Sequence, residues 1–84
     1  MYYVYILRNI QSEKIYIGQT RDLENRIRQH NERGFYKASY TKINKGVWIL
    51  VYKEVLGTRL EALKREKQLK SFRGREFIKN QLAR

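Results

Sequence analysis

Tyr5, Tyr16, Arg26, His30 and Glu66 are the residues of this chain whose types and positions could do chemistry. On a helical wheel of about 100° per residue, Ala62, Leu63 and Leu69 share one face and Glu66 falls in the middle of it. A carboxylate aimed at a core is costly unless it is paired with a cation, hydrogen-bonded or bound to a metal ion. A salt bridge to one of the many Lys and Arg residues is the structural alternative. Arg26 and His30, four residues apart, run along the edge of a face made by Leu23 and Ile27, so they could share one anionic site. A guanidinium matches phosphate as a bidentate fork. The plainer readings are a surface cation for Arg26 and a packed, hydrogen-bonded ring for His30. Tyr3, Tyr5 and Tyr16 alternate with Val4, Ile6, Ile15 and Ile17, which sets Tyr5 beside Tyr16 across a strand pair. Such pairs, by themselves, pack more often than they react. With one His, no Cys, no Ser-His-Asp constellation, no phosphate-binding GxxxxGK[ST] loop and no paired inward carboxylates, the chemistry left is one metal ion, one Arg and phenols.

The elements that must position these residues are legible from composition. Tyr2 to Leu7 is β-branched and aromatic, Asn9 to Lys14 is rich in turn formers, and Ile15 to Ile17 is a second short run ended by Gly18: a β-hairpin. Arg21 to Arg33 reads as a first helix, with Asp22 as N-cap and Gly34 beyond its end. Phe35 to Gly46 has no period and reads as a long ordered loop, in which Lys37, Lys42 and Lys45 are candidate nucleic-acid contacts. Val47 to Val55, apolar on both faces with imperfect alternation, reads as the central strand of a sheet. Thr58 and Glu61 make the T-x-x-E box of a second helix reaching about Phe72, and Gly74 separates it from a third, Arg75 to Ala83. The expected fold is α+β, a three-stranded antiparallel sheet flanked by about three helices, with residues 1–84 as a single domain.

Charge narrows the partners. Lys and Arg number 19 against 8 Asp and Glu, a formal net charge of +11 on 84 residues, which favours a polyanion, nucleic acid before others. A membrane is not expected, since no run of about 18 apolar residues occurs. Without Cys the fold has no disulfides and no thiolate metal ligands, which suits the cytoplasm.

The order Tyr3-Val4-Tyr5, Tyr16-Ile17-Gly18, Thr20, Asp22-Leu23, Arg26, His30, Ala62-Leu63, Glu66 and Leu69-Lys70 resembles the GIY-YIG nuclease superfamily over nearly the whole chain. It is most similar to a small stand-alone bacterial branch, related to the nuclease domain of the excision-repair protein UvrC and to a class of structure-specific endonucleases. The resemblance implies an active site on one face of the sheet and a single Mg²⁺ or Mn²⁺ held by Glu66. Tyr5 matches the Tyr of the first motif, Tyr16 and Gly18 the second motif, Arg26 the Arg of the first helix, and His30 a His found in several branches. The sequence departs from the pattern at Tyr3, which stands where the first motif begins with Gly. Near the C-terminus, Asn80 is the nearest counterpart of a polar residue some members use.

The expected function is therefore metal-dependent endonucleolytic hydrolysis of phosphodiester bonds, in DNA before RNA, selective for structure and linked to repair or recombination. Glu66 holds the metal, Arg26 neutralises charge growing at phosphorus, and Tyr5 or Tyr16 positions or deprotonates water, which requires a phenol pKa well below its ordinary value of about 10. The competing reading is a binding module of the same fold that cuts weakly or not at all.

Overall fold

A central strand, β1 (Tyr2–Asn9), carries the sheet, with β2 (Ile15–Thr20) on one side and β3 (Trp48–Leu56) on the other, both antiparallel to it. The computed structural model describes residues 1–31 and 46–82. Helices α1 (Leu23–Asn31), α2 (Arg59–Leu69) and α3 (Phe72–Leu82) complete the α+β fold expected from the sequence.

Position in the sheet follows from burial. Val4, Tyr5, Ile6 and Leu7 are buried in an unbroken run because β1 is covered on both faces and flanked on both edges. The strand beginning near Val47 is an edge strand, not the central one: Ile49 is 42% and Val55 53% exposed. Its imperfect alternation has a local cause. Ile6 pairs with Tyr52 but Leu7 with Leu50, so Val51 is an extra residue, a β-bulge that switches which face successive side chains reach. Trp48 therefore packs with Tyr5, Leu7 and Leu23 under α1, whereas Tyr52 joins Val4, Ile6, Ala62, Leu69 and Ile78 under α2 and α3.

Local chemistry fixes the helix ends. Asp22 Oδ1 accepts from the Asn25 amide at 3.2 Å, the N-cap expected for α1. Thr58 Oγ1 accepts from the Glu61 amide at 3.2 Å and caps α2. The second and third helices divide at Lys70–Ser71, not at Gly74. The Ser71 hydroxyl accepts from the Gly74 amide at 3.2 Å and starts α3 there. Gly74 lies inside that helix, buried, where a Cβ would come within 2.1 Å of the Gln68 carbonyl oxygen and 2.4 Å of Leu69 Cα. It permits close approach of α3 to α2 rather than ending a helix. Gly18 likewise does not end β2, which continues to Thr20.

Candidate active site

The hairpin register determines how the two phenols meet. Tyr5 faces Gly18 across the pair and Tyr16 faces Leu7, so Tyr5 and Tyr16 are diagonal neighbours rather than direct partners, with ring centroids 6.2 Å apart. Gly18 makes room for this. A Cβ on it would lie 2.6 Å from the Tyr5 hydroxyl oxygen and 2.9 Å from the Tyr16 ring, closer than carbon tolerates, so the absent side chain is what lets Tyr5 lie across β2.

From α1, His30 arrives at the same point. Its Nε2 is hydrogen-bonded to the Tyr5 hydroxyl at 3.0 Å, and its ring centroid lies 4.6 Å from that of Tyr16. The end of α1 is held by Asn31, whose amide donates to the Trp48 carbonyl at 3.0 Å and accepts from the Trp48 amide at 2.7 Å, as a neighbouring strand would. Composition gave no signal for this tie, because Asn at a helix end reads as a stop. Arg26, one turn earlier, is partly buried.

The electrostatics couple these groups. Burial pushes the Tyr5 phenol well above its ordinary value, and the Glu66 carboxylate adds to the rise while Arg26 opposes it. Tyr16 is raised by burial and then by Glu66; Arg26 and a hydrogen bond shared with Tyr5 work the other way. His30 is lowered to about 4 by burial and by Arg26, so its ring is neutral at neutral pH. Without a bound ion neither phenol meets the requirement of a depressed pKa. Both are protonated hydrogen-bonding groups.

Glu66 reaches the site from α2. Its side chain is 20% exposed, and Oε1 stands 3.5 Å from Lys70 Nζ one turn on. Ala62 and Leu69 are buried beside it as the wheel requires, but Leu63 is 42% exposed, so the buried stripe is narrower than expected and Glu66 sits at its rim. Sequence reasoning missed what orients this helix. Arg65 Nε and Nη2 each donate to the Glu54 carboxylate of β3 at 2.8 Å, Tyr52 donates to the same carboxylate, and Phe77 of α3 lies under the guanidinium at 5.3 Å.

The structure thus brings Tyr5, Tyr16 and His30 into contact and places Arg26 and Glu66 within electrostatic reach of both phenols. Lys37, Lys42 and Lys45 lie outside the described residues, and Asn80 is exposed on α3. Among the described residues no group of three or more His, Cys, Asp or Glu side chains could hold a metal ion. Glu66 alone still fits a hard divalent cation of the Mg²⁺ type, which keeps several waters and uses one or two carboxylates with substrate phosphate oxygens. None of the described helices is long and apolar enough to cross a membrane.

Residues 1–79 match the family model of the GIY-YIG catalytic domain. Among curated relatives, a UPF0213 protein of Staphylococcus saprophyticus is 40% identical over 78 residues, covering 93% of this chain and 90% of its own. Another, from Staphylococcus haemolyticus, is 37% identical over 79 residues, covering 93% and 90%. One from Staphylococcus aureus is 39% identical over 71 residues, covering 84% and 82%. No solved structure shows a significant match.

Proposed function

The chain belongs to the GIY-YIG family, whose catalytic domain is that of a nuclease acting on nucleic acid, and from that premise we propose that it is a structure-selective DNA endonuclease of repair or recombination that works with Mg²⁺ or Mn²⁺ held by Glu66. One observation carries the reading: Tyr5, Tyr16 and His30 meet at one point of the sheet, with the Tyr5 hydroxyl 3.0 Å from His30 Nε2 and the Tyr16 ring centroid 4.6 Å from that of His30, while α2 carries Glu66 with its side chain only 20% exposed.

Glu66 would hold the divalent ion, whose positive charge would polarise the phosphate and favour the anionic forms of neighbouring acids. Arg26 binds non-bridging phosphate oxygens and stabilises charge as it grows on them. Tyr5 is 1% exposed and cannot touch substrate, whereas Tyr16 is only partly buried, so Tyr16 is the phenol that meets the attacking water. The hydrogen bond between them favours ionisation of Tyr16 and retention of the proton by Tyr5. With its proton on Nε2, neutral His30 would donate to the Tyr5 oxygen and Tyr5 to Tyr16. Tyr16, as the phenolate, would take a proton from the water that attacks phosphorus, the P–O bond to the leaving oxygen would break, and that oxygen would take a proton from solvent.

Glu66→Gln tests this. Nicking of branched DNA with Mg²⁺ or Mn²⁺ should vanish, while binding to the same DNA in EDTA persists. The melt should shift by less than about 1 kcal/mol, because the pair broken is with an exposed lysine. A non-cleaving binding module, favoured by the Glu66–Lys70 ion pair, predicts no nicking by the parent protein on any branched substrate.

A further inference from the structure

A cleft of about 340 Å³ shares Arg26 with the candidate active site and is lined besides by Tyr2, Gln19, Thr20, Arg21, Asp22 and Arg59. Resting on the reading of a nucleic-acid substrate, we propose that this cleft is a second phosphate site, in which Arg21 and Arg59 hold a backbone phosphate next to the one cleaved while Arg26 joins the two sites.

Charge distinguishes this cleft from its neighbour. Its walls set three guanidinium groups against one carboxylate, and that carboxylate, Asp22, is already engaged with the Asn25 amide. The adjoining recess shares Arg21 and Asp22 but balances Lys53 against Glu24, so it offers an anion no excess of charge. Placement acts in the same direction as charge. Arg59 opens α2 directly after its cap, and Arg21 stands just before the cap of α1. A cation at a helix N-terminus opposes the helix dipole, so these arginines weaken the elements they begin and are complemented by an anion between them. Arg21 is held to the wall by the Tyr2 ring, with its guanidinium carbon 5.7 Å from the ring centroid, which limits the freedom lost when it binds. Guanidinium forks suit phosphate oxygens, and Arg26 is common to this cleft and to the electrostatics of the phenols. A strand bound through the cleft is thereby fixed in register with the candidate cleavage site.

The experiment is a salt titration of binding, in EDTA, to a fluorescent branched DNA duplex. It compares the parent protein with R21Q/R59Q, with the charge-keeping R21K/R59K, and with R73Q/K79Q, which removes two charges from α3 away from the cleft. R21Q/R59Q should bind several-fold more weakly, and its slope of log affinity against log salt should be shallower by about one to two units, near one per lost phosphate contact. R21K/R59K should keep most of the slope, and R73Q/K79Q should change it by less than half as much as R21Q/R59Q. Equal losses in R21Q/R59Q and R73Q/K79Q, or none in R21Q/R59Q, would overturn the site. Inorganic phosphate should compete no better than chloride at matched ionic strength; strong competition would make the cleft a pocket for a small phosphate ligand and end its role as a strand anchor. The binding arm does not depend on cleavage. A lost slope without any nicking removes the nuclease and leaves the cleft, and nicking with an unchanged slope removes the cleft and leaves the nuclease.

Discussion

At Gly18 the useful property is an absence. The space a Cβ would fill is occupied by the Tyr5 hydroxyl, so Gly18→Ala should push the phenol away from His30. Overpacking of this kind costs about 1–3 kcal/mol, and a displaced Tyr5 should misplace Tyr16 and lower the nicking rate on the order of 100-fold. Urea melts beside a nicking assay check both, and a variant as active as its parent would remove Tyr5 from the mechanism. His30 makes a prediction in pH. Its folded pKa is about 4 against 6.5 for the free side chain, so between those values the unfolded chain holds more protons. The associated stability is complete above pH 6.5 and is lost as pH falls toward 4, by up to about 3 kcal/mol. His30→Gln should flatten that part of the profile; parallel losses in both proteins would assign the acid sensitivity to other groups.

Among the elements, α2 matters most because it carries Glu66, and Arg65 clamps it to β3 through Glu54. Arg65→Met should cost about 1–2 kcal/mol, below the range for fully buried pairs because both partners are partly exposed, and should lower nicking by letting the helix shift. Denaturant midpoints with single-turnover rates measure the two effects, and an unchanged rate would show that Glu66 does not need the clamp. The same elements show what the sequence made legible. Short-range signals held: the hairpin and the Asp22 and Thr58 caps, whereas Glu66, expected in the middle of an apolar face, lies at the rim of a narrower one. Signals that depend on long-range pairing did not. The apolar character of Val47 to Val55 suggested a central strand, yet apolar residues also occur on an edge strand, and the bulge at Val51 disguised the alternation that marks one. Gly74 suggested a break because a glycine's value for close helix contact is invisible without the partner helix. Among the candidate residues, Tyr5, Tyr16, Arg26, His30 and Glu66 could be singled out by type, spacing and family resemblance, whereas the contacts of Asn31 and Arg65 and the Arg21–Arg59 cleft arise between elements distant in sequence.

For the whole molecule, a net charge of +11 predicts that DNA affinity falls linearly with salt on logarithmic axes, steeply enough to be plain between low and moderate salt. Anisotropy titrations give the slope, and a flat response would mean that the basic surface is not the binding surface. The order of the strands has a further consequence, for the chain as it is made. Strand β1 needs two partners: β2 follows it at once, but Tyr2 must wait for Leu56 and Asn9 for Trp48. During synthesis the uncharged run Tyr2 to Leu7, high in β propensity, therefore presents one open edge until β3 leaves the ribosome. Arg8, immediately after that run, is placed as a gatekeeper against intermolecular pairing, and nascent chains released before β3 are the species expected to aggregate.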